Sequence, residues 1–80
     1  MPEIARKILD FIIDREDAFG RLTNYEILLC RIDEDVYVDE GVPYLLANQL
    51  IDILDPNALT YRATRAGRLA LRDYALRDLA

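Results

Sequence analysis

Apolar positions recur with a helical period over the first nineteen residues. At about 100° per residue, Ile4, Ala5, Ile8, Leu9, Phe11, Ile12 and Phe19 share one broad face. Glu3, Arg6, Lys7, Asp10, Asp14 and Asp17 share the opposite one. Pro2 suits the opening of this helix, where its missing N–H costs nothing, and Gly20 suits its left-handed close. A second helix is predicted from the capping box Thr23-Asn24-Tyr25-Glu26. There the Thr23 hydroxyl would accept the Glu26 N–H while the Glu26 carboxylate takes the Thr23 N–H. Leu22 and Ile27 stand at the staple positions, and the helix runs through Ile27-Leu28-Leu29-Cys30-Arg31-Ile32 to stop near Asp33.

The period then changes. Asp35 to Asp39 reads as a short strand, with Val36 and Val38 on one face and Tyr37 on the other. Pro43 restarts a helix that continues to Leu54, with Asn48, Gln49 and Asp52 as a narrow polar stripe. Asp55-Pro56-Asn57 has the composition of a turn. Leu59 to Thr64 alternates as a second strand, and Thr64 caps a last helix from Arg65 to about Leu79. The expected fold is mainly α with a small two-stranded antiparallel sheet, ordered α-α-β-α-β-α, in a single compact domain over residues 1–80.

The last helix differs from the others in having two apolar stripes. Leu69, Leu76 and Leu79 lie on one side, and Ala70, Leu71 and Tyr74 on another, with arginines between. A small core needs only one stripe. The other is left for a second copy or a different protein, unless the aliphatic stems of the arginines cover it. Arg68, Leu69, Leu71, Arg72, Tyr74 and Leu76 are therefore the candidate second interface, and a homodimer through this helix is one form of it.

Composition narrows the picture. Eighty residues, 52% of them apolar, argue for a folded chain with a thin core, since a domain of this size hides only about 60% of its unfolded surface. Cys30 is the one cysteine, so no intrachain disulfide is available and a reducing compartment is expected. Its place in an apolar run predicts a small buried hydrophobe. The N-terminal stretch mixes charge with apolar residues, unlike a signal peptide or membrane span, which leads to the expectation of a cytoplasmic protein with no membrane partner.

Charge divides the chain into three parts. Residues 1–32 carry six acids and five bases, residues 33–61 carry seven acids and no base, and residues 62–80 carry five arginines against two aspartates. The net charge is −5. Five of the central carboxylates (Asp33, Glu34, Asp35, Asp39 and Glu40) fall within eight residues, with Tyr37 and Tyr44 nearby. Asp39 and Glu40 also have a local use at the positive end of the following helix. The cluster as a whole favours a partner with a basic surface, because carboxylates steer and select while tyrosine rings supply contact area.

Helix, short strand, helix and then Leu59-Thr60-Tyr61-Arg62-Ala63-Thr64-Arg65-Ala66-Gly67 resembles the second half of winged-helix domains in prokaryotic regulators. The likeness covers residues 23–80 and rests on Thr64-x-x-Gly67, where a wing strand ends at a threonine that caps the next helix. It implies that Val36-Tyr37-Val38 pairs with the strand at Thr60 and that the C-terminal helix serves dimerisation. Two departures stand beside it. Only nineteen residues separate Asp39 from Leu59, leaving room for one helix, so the recognition helix or its predecessor is expected to be missing. That helix also contains no lysine or arginine, whereas duplex binding depends on bases that neutralise phosphates.

Catalysis finds little to build on. The chain has no histidine, serine or tryptophan, which removes serine triads, His-ligated metals and imidazole acid–base work. Asp33 onward begins like a calcium loop but carries Val38 and Tyr44 where glycine and glutamate are needed. The three glycines are scattered, so there is no phosphate-binding loop. No catalytic residue, metal or cofactor is expected. The favoured reading is a non-catalytic acidic protein-interaction module that docks through Asp33, Glu34, Asp35, Tyr37, Asp39, Glu40 and Tyr44. It is similar in size and charge to small phage-type inhibitors, such as anti-CRISPR proteins, that mimic nucleic acid. The alternatives are a degenerate winged-helix DNA-binding regulator, dimeric through the last helix, and a structural subunit whose charge serves solubility.

Overall fold

The computed structural model describes the backbone of residues 1–31 and 35–79, and the side chains of 1–31 and 39–77. The elements are α1 (Glu3–Phe19), β1 (Thr23–Asn24), α2 (Tyr25–Arg31), α3 (Asp35–Ala47), β2 (Ile51–Asp55), β3 (Thr60–Ala63) and α4 (Arg65–Leu79). The three strands form one antiparallel sheet in the order β1-β3-β2. Among the described residues no helix is long and apolar enough to cross a membrane.

The core sits where α1 crosses α3 and the sheet. Ala5, Ile8, Leu9 and Ile12 of α1 are buried against Leu28 of α2, Val42 and Leu45 of α3, and Ile51, Tyr61 and Ala63 of the hairpin. These α1 positions are the helical stripe expected from the sequence. Phe19, placed on the same stripe, is instead 68% exposed because the helix runs past the core before it ends. Gly20 closes α1 with φ 63°, as its position suggested.

The capping of α2 is shifted by one residue. Asn24, not Thr23, is the cap: its Oδ1 accepts the Ile27 N–H at 2.8 Å. Thr23 is drawn into β1, pairs with Tyr61 and is fully buried, and its Oγ1 has no hydrogen-bond partner. The expected capping box is thus replaced by an asparagine cap that frees Thr23 to join the sheet. Cys30 is exposed rather than buried, because the short α2 turns Leu28 inward and Leu29 partly so, which carries Cys30 to the outer side.

The largest correction concerns residues 35–55. Asp35 to Asp39 is the start of helix α3, not a strand, and Pro43 lies inside that helix rather than at its beginning. A proline in a helix interior costs about 3 kcal/mol through the lost hydrogen bond and ring clash. Here its ring faces solvent, and the opposite side of the same turn is held by Gly41, Val42 and Leu45 packed on α1. A Cβ at position 41 would lie 2.4 Å from Ile8 Cδ1, so glycine sets how closely α3 approaches α1.

Helix α3 then stops at Ala47 instead of continuing to Leu54. The Leu50 N–H bonds the Leu45 carbonyl at 2.8 Å and the Gln49 N–H bonds the Leu46 carbonyl at 3.1 Å. With Gln49 at φ 58°, this is a Schellman stop built without glycine. The chain emerges extended, and Ile51 to Asp55 pairs with β3 in the register Ile51↔Ala63 and Ile53↔Tyr61. The sheet therefore has three strands, and the partner of Tyr61 on the hairpin side is Ile53, not the Val36-Tyr37-Val38 segment.

From Asp55 onward the fold follows the sequence closely. Asp55 Oδ1 accepts the Asn57 N–H at 3.0 Å and so organises the hairpin turn. Thr64 caps α4: its Oγ1 accepts the Gly67 N–H at 2.9 Å and donates to the Gln49 carbonyl at 2.8 Å. One hydroxyl thus ties the start of α4 to the end of α3.

Candidate interaction surface

Helix α3 and the β2–β3 hairpin carry most of the described members of the acidic segment. Asp39 and Glu40 are exposed midway along α3. The Tyr25 hydroxyl donates to Asp39 Oδ1, which ties this exposed carboxylate to α2. Asp52 and Asp55 are exposed on β2, next to Ile53 and Leu54, which are 40% and 43% exposed. Strand β2 therefore exposes carboxylates and apolar side chains side by side along the chain. Asp33 and Glu34 lie outside the described residues, as do the side chains of Asp35 and Tyr37, although the latter two are within the helical backbone of α3. Tyr44 is half-buried against the core, so only its outer edge is available.

Arg62 lies across from Asp52 in the β2–β3 register, so the tail balances part of the hairpin charge, but Arg68 is turned towards α1. Arg68 Nη1 lies 2.8 Å from Asp17 Oδ2 and its Nη2 lies 3.6 Å from Glu16 Oε2, both on α1. The Arg68 hydrogen bond holds the Asp17 carboxyl below the usual carboxylate range, opposed by slight desolvation and helped by the guanidinium charge. Arg6 pairs with Glu3 at 3.8 Å and lies 5.7 Å from the centre of the Tyr74 ring. Among the described residues no lysine or arginine is within ion-pair distance of Asp39 or Glu40.

The candidate second interface on α4 separates into two groups. Arg68 is occupied by α1, and Leu71 and Tyr74 are half-buried on the inner side of α4, Leu71 against the core and Tyr74 beneath Arg6. Leu69 and Leu76 point outward at 48% and 55% exposure, with Arg72 exposed between them. Only this second group remains a surface. Sequence reasoning missed the roles of Glu16, which was given none, and of Asp17, which was placed only on the polar face of the first helix. No local signal marks them, because their partners lie about fifty positions away.

Among the described residues no group of three His, Cys, Asp or Glu side chains is arranged to hold a metal ion. No protein-family model, curated protein or solved structure matches this chain.

Proposed function

We propose that the chain is a non-catalytic protein-interaction module of winged-helix type, whose α3 and hairpin face docks on a basic protein surface. The observation that carries this reading is the pairing of charges: Asp39 and Glu40 stand exposed while Arg68 is committed to Glu16 and Asp17. The helix–strand–helix–helix–hairpin order supports the winged-helix assignment, with α3 in the place of a recognition helix. Both α2 and α3 fit because the segment 35–47 is one helix, so the length objection raised by the sequence falls away. The charge objection stays. A helix bearing Asp39 and Glu40 and no base would repel a phosphate backbone and attract guanidinium and ammonium groups. An inhibitor that sets carboxylates where a nucleic acid sets phosphates is one form of such a module.

The test compares the wild type with the double substitution Asp39→Lys, Glu40→Lys. Both side chains are exposed, so the helical circular-dichroism signal is expected to persist. Crosslinked capture of a basic partner from cell lysate is expected with the wild type and to be lost in the double variant. Equal capture by both proteins would remove the α3 face from the reading.

The DNA-binding alternative draws on the same topology and on exposed Arg62, Arg65 and Arg72. It requires a mobility shift of duplex DNA at low salt, abolished by Arg65→Glu with Arg72→Glu. Arg68→Glu is unsuitable for this test, because it breaks the contact with α1 and unsettles the fold.

A further inference from the structure

Three of the five basic residues in the first thirty-two converge on a hollow on the α1–α2 side. Phe11, Arg15 and Phe19 are spaced by four residues, so they stack on successive turns along one line of α1. Arg21 follows the Gly20 turn and Arg31 ends α2. With Asp14 these side chains line an open hollow of about 420 Å³, and Arg15 and Arg31 also wall an adjoining one of about 260 Å³.

Among the described residues these guanidinium groups have few partners. The Arg15 guanidinium lies 5.9 Å from the centre of the Phe11 ring, and its Nη2 makes only a long 3.4 Å contact with the Leu22 carbonyl. Its Nε is buried and has no hydrogen-bond partner. The ion pairs among the described residues involve Arg6 and Arg68, and none involves Arg15, Arg21 or Arg31. Among the described residues Asp14 is the one carboxylate lining the larger hollow, and Glu26 lines the adjoining one. Phe19, at its rim, leaves 68% of its surface in water.

We propose that this hollow binds a nucleoside phosphate, with Arg21 and Arg31 on the phosphate groups and Phe19 stacked on the base. Guanidinium groups match phosphate oxygens in pairs of parallel hydrogen bonds, and an exposed phenyl ring offers its face to a flat heterocycle. The volume falls within the roughly 300–1,000 Å³ of small-molecule sites. Double-stranded DNA does not fit, because its bases are already stacked and offer no free face to Phe19. The site is separate from α3 and stands or falls independently of the protein-docking surface.

Isothermal titration with ADP at low ionic strength tests it, with pyrophosphate and adenosine as separate titrants. ADP is expected to bind with a sub-millimolar Kd, and each fragment about tenfold more weakly or worse. Arg21→Glu and Arg31→Glu should each weaken ADP by about tenfold or more, the loss expected for a charge-assisted hydrogen bond. Phe19→Ala should weaken it by roughly fivefold, the lower end for base–aromatic stacking. Asp39→Lys with Glu40→Lys should leave the affinity unchanged. The three side chains substituted in the hollow are exposed, and circular dichroism verifies that each variant is folded. Absence of heat at about 1 mM ADP on folded wild type overturns the proposal. So does pyrophosphate binding as tightly as ADP, or ADP binding undiminished by Arg21→Glu.

Discussion

Glu16 stands in for a strand residue beside Ala63: its Oε2 accepts the Ala63 N–H at 3.2 Å. Strand β1 has only two residues, paired Thr23↔Tyr61 and Asn24↔Thr60, so it ends before it can reach Ala63. The carboxylate of α1 fills that place, and the same oxygen lies 3.6 Å from Arg68 Nη2. One side chain thus joins α1, β3 and α4.

Replacing Glu16 is therefore expected to cost more than a helix-surface glutamate normally would. Glu16→Ala leaves the Ala63 N–H without its acceptor, a loss of about 2 kcal/mol for a partly buried donor. In a domain this small that corresponds to a fall in Tm of roughly 10 °C. Glu16→Gln keeps an acceptor oxygen and should lose less than half as much. Thermal melts of the two variants side by side separate the hydrogen bond from the charge.

The Asp17–Arg68 pair sets a pH dependence. Asp17 has its carboxyl lowered below the ordinary value of 3.8, chiefly by the Arg68 hydrogen bond. A carboxyl depressed in the folded state contributes stability that is present above its unfolded value and lost as pH falls through the folded one. The wild type should therefore melt above Asp17→Asn at neutral pH by a constant margin. That margin should begin to shrink as pH drops towards 3.8 and vanish in stronger acid. A margin that persists unchanged into strong acid would mean the pair is not formed in solution.

Gln49 holds a backbone conformation that glycine takes more readily. At φ 58° a side chain with a Cβ is strained, and the position is the left-handed residue of the α3 stop. Gln49→Gly keeps the carbonyl that accepts the Thr64 hydroxyl and should stabilise the protein by about 0.5–1 kcal/mol. Urea denaturation should show a higher midpoint with an unchanged slope.

Two glycine substitutions are expected to differ sharply. A Cβ at Gly67 would lie 2.0 Å from the Leu50 carbonyl oxygen, a backbone atom that cannot rotate away. Gly67→Ala should force α4 away from the Leu50 carbonyl and cost about 3 kcal/mol or more, a large part of the stability of so small a domain. Gly20→Ala meets nothing within 4 Å and pays only for the left-handed φ, about 1 kcal/mol. Circular dichroism at two temperatures distinguishes them.

The candidate site was partly legible. That the acidic segment is exposed at Asp39, Glu40, Asp52 and Asp55 follows from charge alone, since an unpaired carboxylate is not buried. That Tyr44 turns towards the core, and that Tyr25 donates to Asp39, depends on α2 and α3 being packed together. The same is true of the arginine–phenylalanine hollow. Its line along α1 is visible as a four-residue spacing, but Arg31 reaches it only through the turn at Gly20 and the direction of α2.

Features fixed by neighbouring residues were written in the chain: the α1 stripe and its Gly20 close, the Asp55-Pro56-Asn57 turn, and the Thr64-x-x-Gly67 start of α4. In each case the deciding contact spans a few residues and a single φ or cap. The segment from Asp35 to Asp55 was different, because Val36 and Val38 fit a two-residue alternation while Val42 and Leu45 fit a helix, and the local preferences nearly balance. Packing of Gly41 on Ile8 draws the first part into α3. The Thr64 hydroxyl on the Gln49 carbonyl, with β3 alongside, draws the second part into a strand. Both partners are distant in sequence, and burial and hydrogen bonding at that range outweigh the weak propensity of a five-residue stretch.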